Sequence, residues 1–338
     1  MAWARSSVFG FVLLVLQVES FHVSFKPSML RCAPLATTVS KRNPLSLYAQ
    51  SISDLVKKVE SASAKTKAPT KIFKSLKKTS GSPSISVEFL RPEKIPVHDT
   101  KSLSFEIRRS KVALLVVDTA VANGDQDFEG FVKEQQTAKG KFPGPVPLVW
   151  RGAIETIEDI AKAKAAGADG VSFAASSLGE EKTAVMVNAC HVLGMEPLVE
   201  VGDANEINWA VSAGAKCLCV RFSSSAISSF LVSAAKSLQN DLPDDCAVIA
   251  TVQGRQGGAE IEQAKSLLDA NYNGVLFSRM LEDATDRFSE PYLKYIMAVM
   301  QSKKSQNLQI NEIKPGQSGW GAGLGQPPPG WGSEQSHA

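Results

Sequence analysis

From about residue 84 onward, short apolar runs rich in β-branched residues alternate with longer segments whose apolar positions recur every three or four residues. The short runs are "SISVEFLR" (84–91), "VALLVVDTA" (112–120), "PVPLVWR" (145–151), "DGVSFAA" (169–175), "EPLVEVG" (196–202), "AKCLCVRF" (215–222), "CAVIATVQG" (246–254) and "NGVLFSRM" (273–280). "VALLVVDTA" is apolar on both faces, as a parallel strand buried between a core and a helix layer has to be. Between the runs, "TIEDIAKAKAAG", "EEKTAVMVNACHVLG", "ANEINWAVSAG" and "AEIEQAKSLLDANY" read as amphipathic helices. Each stops at or near Gly or Asn, the usual helix-end signal. "AKAAGADGVSF" and "AVSAGAKCLCV" are near copies of one helix-to-strand junction. Eight strand–helix units with short connections predict an α/β chain folded as a (β/α)8 or TIM barrel rather than an open doubly wound sheet. No GxGxxG follows a first strand, which argues against a dinucleotide-binding fold.

The flanks do not share this pattern. "MAWARSSVFGFVLLVLQVES" has a basic start, a short apolar run and small polar residues, the layout of a secretory signal peptide and too short for a membrane span. The following thirty residues contain no Asp or Glu and are rich in Ser, Thr, Lys and Arg, a transit-peptide composition. A signal peptide joined to a transit peptide at Phe21 resembles the two-part address of algae with secondary plastids, and the expected location is the plastid stroma, with secretion as the alternative. The end of the chain, "IKPGQSGWGAGLGQPPPGWGSEQSHA", has no apolar periodicity and reads as a disordered Gly/Pro-rich tail. Its two Gly-Trp-Gly repeats make Trp320 and Trp331 candidate docking points for a protein partner. The expected organisation is an address segment over 1–49, a barrel with extra N-terminal helices over 50–310, and a tail over 311–338.

Ligands of such barrels sit at the C-terminal ends of the strands. Those ends carry Glu88 and Arg91 (strand one), Asp118 (two), Arg151 (three), Glu200 (five) and Arg221 (six). Gly254 and Arg255 follow strand seven, and Ser278 and Arg279 close strand eight. Arginines gathered at one mouth repel each other unless something anionic binds there, and a small phosphorylated or carboxylate ligand is the natural candidate. The glycine-rich "QGRQGG" and the backbone after strand eight lie where barrels commonly hold phosphate.

Composition narrows the picture further. A formal net charge of +3 over 338 residues predicts no nucleic-acid and no membrane partner. The five cysteines form no CxxC pair and show no zinc-ligand spacing with histidine, so neither a metal nor a cofactor is expected. Cys217, Cys219 and Arg221 alternate on one strand face, and core packing is the ordinary role for the two thiols.

Taken together, these segments resemble indole-3-glycerol-phosphate synthase, a barrel carboxy-lyase of tryptophan biosynthesis, from about residue 50 to 300. "ISDLVKKVESASAK" and "IFKSLKK" look like that family's extra N-terminal helices. "PLVWRGAIETIEDIAKAKAAGADGV" and "PLVEVGDANEINWAVSAGAK" are similar to its third- and fifth-strand segments without a gap. The resemblance implies a reaction that closes a pyrrole ring with loss of carbon dioxide and water, for which the family uses lysines as proton donors. Its strand-one Glu-x-Lys reads Glu88 and Leu90 here, and its strand-three Arg-Lys-Asp-Phe reads Trp150, Arg151, Gly152 and Ala153. The strand-five glutamate is Glu200, the strand-six asparagine position holds Arg221, and "PEK" replaces a Ser-Pro-Ser loop after strand one. The candidate catalytic set is therefore Glu88, Arg151 and Glu200, and the candidate anion-binding set is Arg91, Arg221, Gly254, Arg255, Ser278 and Arg279. Both family lysines are absent, and arginine stays charged at physiological pH, so it holds an anion but donates no proton. The leading expectation is a barrel with lost or weakened lyase activity that binds an anionic ligand or a protein partner. The alternatives are an active, divergent synthase and a scaffold working through its Trp-bearing tail.

Overall fold

The computed structural model of the chain describes residues 44–62, 69–78, 82–91, 100–221, 228–254, 258–281 and 289–301. Residues 1–43 of the expected address segment, the "PEK" loop and the Trp-bearing tail lie outside these residues, and residues 44–49, assigned to the address segment, form the start of a helix. All eight expected strands form: β1 (Ser84–Phe89), β2 (Leu115–Asp118), β3 (Leu148–Arg151), β4 (Gly170–Ala174), β5 (Glu196–Val201), β6 (Cys217–Val220), β7 (Ala247–Gln253) and β8 (Gly274–Ser278). They pair in parallel and in chain order, and β8 closes on β1, which is the (β/α)8 barrel. The helices are α1 (Pro44–Glu60), α2 (Lys71–Leu76), α3 (Thr100–Arg109), α4 (Gly124–Thr137), α5 (Ile157–Ala165), α6 (Ala175–Val192), α7 (Ala204–Ser212), α8 (Ser228–Ser237), α9 (Ala259–Asp269) and α10 (Ser289–Gln301).

Each strand divides its residues between two cores. Odd positions such as Ile85, Val87 and Phe89, or Leu115 and Val117, pack outward against the helices. There Phe89 meets Phe131 of α4 edge-on at 5.1 Å, and Phe128 meets Trp150 at 4.9 Å. The alternate positions fill the barrel: Leu114, Val116, Val149, Leu198, Cys217, Cys219, Ala247, Ile249 and Leu276 form one buried cluster. This period-two division accounts for strands that read as apolar on both faces.

The two junctions that look alike in sequence fold alike. Gly167 after α5 and Gly214 after α7 take φ of 96° and 94°, left-handed values that favour glycine. Around them Ala168 N–H donates to the Ala163 carbonyl and Ala215 N–H to the Ala210 carbonyl, each at 3.0 Å. This is the Schellman arrangement that satisfies the last helical carbonyls and turns the chain into the next strand. α6 is broken at Gly179 (φ 73°, ψ 175°), so its main helical run starts at the Glu180 expected from the pattern.

The end of the barrel opposite the site is closed by α2. Ile72 and Leu76, one helical turn apart, are fully buried in the interior cluster. Glu196, on the inner face of β5, accepts the Phe73 N–H at 3.0 Å and also that of Ile72. Two of the amides that α2 cannot satisfy internally thus end on a buried carboxylate. Gly170 on β4 permits this approach, because a Cβ there would collide with Ile72 Cδ1 and the Glu196 carbonyl.

A salt-bridge ring at the mouth of the barrel

The same alternation that fills the core delivers inward residues near the ends of successive strands to the C-terminal mouth. Glu88, Asp118, Arg151, Ser172 and Glu200 come from β1 to β5, and Arg221 follows β6 directly. Strand register sets Asp118 beside Arg151 and Arg151 beside Ser172.

These side chains form one network. Arg151 Nη1 lies 2.6 Å from Asp118 Oδ2 and 3.1 Å from Glu88 Oε1, and Arg151 Nε donates to Glu200 Oε1 at 2.9 Å. Arg221 Nη2 donates to Glu88 Oε1 at 3.1 Å, so one carboxylate oxygen bridges both guanidiniums. Ser172 Oγ donates to Glu200 Oε1 at 2.8 Å. Arg221 Nε stands 3.2 Å from Glu200 Oε2, close enough for an ion pair but not aligned for a hydrogen bond, and it is buried without another partner. Three carboxylates against two guanidiniums leave a formal charge of −1 when all are ionised. The arginines therefore need no outside anion to coexist, because the chain's own carboxylates separate them.

The electrostatics follow from this geometry. Burial works against the charge on Arg221, but Glu88 and Glu200 outweigh it and hold the guanidinium above its usual pKa. Burial and the neighbouring Arg221 pull Arg151 down, and Glu200 and Glu88 reverse that as well. For Glu200, burial favours the neutral acid, yet Arg221, Arg151 and the Ser172 hydroxyl together keep its pKa below the usual value. A carboxylate so held stabilises the fold above its unfolded pKa of about 4.3, and this contribution is lost as the pH falls through the lower folded value. Urea midpoints measured from neutral pH into the acid range should fall with acidification, and Glu200→Gln should flatten that acid limb. An unchanged limb would place the acid sensitivity elsewhere.

The other expected residues are placed as follows. Arg91, just past β1, forks onto Asp127 of α4, with Nε 2.6 Å from Oδ2 and Nη2 on Oδ1, and so braces the β1 exit rather than joining the ring. Gly254 N–H donates to the Ser278 carbonyl at 2.9 Å, which ties the ends of β7 and β8 together. Arg279 follows with φ of 56°, a left-handed conformation uncommon outside glycine. Arg255 lies outside the described residues, as do Trp320 and Trp331. Two members of the ring were not singled out as site residues from sequence. Asp118 stood in view as a strand end, and Ser172 was findable only by following the inward positions of β4 from Gly170. Cys217 and Cys219 do point inward with Arg221, where burial raises Cys219 to about 11 and keeps both thiols protonated. Among the described residues no group of three or more His, Cys, Asp or Glu is placed to hold a metal ion.

A model of the family described as indole-3-glycerol phosphate synthase matches residues 128–289. Over this stretch the chain is similar to the indole-3-glycerol phosphate synthase family. It is 31% identical over 144 residues to the indole-3-glycerol phosphate synthase of Lachnoclostridium phytofermentans, covering 42% of this chain and 51% of that protein. It is 26% identical over 173 residues to that of Bacteroides thetaiotaomicron, covering 51% of this chain and 63% of that protein. The chain thus spans between about half and under two-thirds of the length of these curated relatives. The family-model match runs from within α4 to the start of α10 and contains Arg151, Ser172, Glu200 and Arg221. Glu88 and Asp118, which complete the ring, precede it.

Proposed function

We propose that this barrel has lost the synthase reaction, or keeps only a trace of it, and acts by binding at its mouth. The observation that carries the reading is the state of Arg151. It stands where the family resemblance expects a proton-donating lysine, and its guanidinium is shared among Glu88, Asp118 and Glu200. Ring closure with loss of water needs a group that gives up a proton near neutral pH. An arginine raised further by two glutamates cannot do so. The family's other strand-one lysine position is Leu90.

The base is compromised in the same way. Glu200 Oε1 accepts from Arg151 and Ser172, Oε2 faces Arg221, and its pKa is lowered, so its affinity for a proton is reduced. The net negative ring also opposes a substrate carrying both a carboxylate and a phosphate. What remains available to a ligand is the outer edge of the two guanidiniums, with Arg151 27% and Arg221 19% exposed. A small carboxylate or phosphate would bind there by exchanging with a glutamate.

The chain, expressed in a bacterial tryptophan auxotroph lacking the synthase, is expected not to restore growth while accumulating as soluble protein. Growth on medium without tryptophan would overturn the reading.

A further inference from the structure

The small net charge conceals an uneven distribution at the opposite end of the barrel from the mouth. The loop between α4 and β3, residues 138–147, reads "AKGKFPGPVP", and Phe142 at its tip is 93% exposed. Only Phe105 of α3, Phe142 and Val185 are exposed large hydrophobic side chains among the described residues; Phe105 lies on α3, which packs on α4, and Arg108 stands over its ring at 5.8 Å. Buried Gln135 ties that side together: its amide donates to Ser104 Oγ of α3 at 2.9 Å and accepts the Val146 N–H at 2.8 Å. Because β2 pairs with β3, the neighbouring α3–β2 turn enters the sheet beside this loop. The last turn of α3 carries Arg108 and Arg109, the latter paired with Glu106 at 3.8 Å; the α3–β2 turn contributes Lys111, and the loop contributes Lys139 and Lys141. No Asp or Glu occurs between residues 107 and 117 or between 135 and 154. Lys111, Lys139 and Lys141 are exposed and pair with no carboxylate among the described residues.

We propose that this edge of the barrel docks on an anionic lipid surface, with Phe142 seated among the headgroups and Lys111, Lys139 and Lys141 facing the lipid phosphates. An isolated ring that follows two lysines, Lys139 and Lys141, suits a water–lipid interface, where the apolar body is shallowly buried and the charged groups stay wet. A protein partner would call for a contiguous apolar patch around the ring, whereas its immediate neighbours are Lys141 and a proline. Pro143, Pro145 and Pro147 restrict the loop before contact, so little freedom is lost on docking. This surface is separate from the mouth and does not depend on the reading of the ring.

The test is local to the loop. A polarity-sensitive dye on Gly144→Cys in the full chain, with dye-treated wild type as background, is mixed with phosphatidylcholine vesicles containing roughly one-third phosphatidylglycerol or none. A blue shift with the anionic vesicles alone is expected, reversed by high salt. Adding K139E and K141E should weaken it by about tenfold or more, and F142S should weaken it at unchanged urea midpoint. No shift, an equal shift on pure phosphatidylcholine, or a shift indifferent to these substitutions would overturn the proposal.

Discussion

Replacing Arg151 with alanine is expected to destabilise the barrel by about 3–5 kcal/mol, the range for removing one partner from a buried ion-pair network. The reason lies less in the bonds lost than in what stays behind. Glu88, Asp118 and Glu200 are 6%, 13% and 8% exposed, and without Arg151 the first and last share Arg221 while Asp118 loses its cation. Three carboxylates would then be desolvated at close range with two charges uncompensated, and at least one would have to take up a proton. The loss should accordingly shrink as the pH is lowered, opposite to the trend in wild type. Arg151→Lys should fall between the two, because an ammonium keeps the charge but cannot reproduce the fork that reaches Asp118, Glu88 and Glu200 together. Urea unfolding at several pH values measures all three proteins. A loss below about 1 kcal/mol for the alanine variant would mean the ring contributes little to the fold and that Arg151 is held for another purpose.

The second large effect is expected at the other end of the barrel. Ile72→Ala should cost about 2–5 kcal/mol, as buried Ile-to-Ala changes do when the surroundings cannot close the gap. Ile72 is fully buried and packs into the cluster that includes Leu114, Val149 and Leu198, under a closed ring of eight hydrogen-bonded strands. A closed sheet contracts poorly around a void, and α2 cannot slide inward while its first amides are held by Glu196. Ile72→Val should cost only about 0.5–1.5 kcal/mol. The comparison is made from urea midpoints at constant slope. Near-equal stability of the alanine variant and wild type would show that α2 is loosely docked and not a plug.

How much of this was legible in the sequence depends on the range of the interaction concerned. Strand positions follow from local apolar runs and glycine stops, and all eight appear where the pattern puts them. The inward direction of Cys217, Cys219 and Arg221 follows from period-two alternation. The partners of the arginines do not follow from either signal. Arg221 meets Glu88 across 133 residues and Arg151 meets Glu200 across 49, contacts that exist only once the barrel closes. Arg91 reads as a strand-end arginine like the others, yet a helix 36 residues later supplies Asp127 and draws it away. Ser172 has a hydroxyl that looks ordinary until β4 is placed beside β3 and β5. Net charge, a sum over the chain, carries no information about the segregation of lysines around Phe142.

That the mouth no longer performs ring closure is the proposal on which the reading of this barrel rests. Its most direct test is the incubation of purified protein with 1-(2-carboxyphenylamino)-1-deoxyribulose 5-phosphate, following the appearance of indole-glycerol phosphate and the release of carbon dioxide. The expected result is no product above the blank at high protein concentration, with the barrel still folded by its urea transition. Turnover at ordinary enzyme rates, about 1 per second or faster, would contradict the account and require a proton donor other than Arg151.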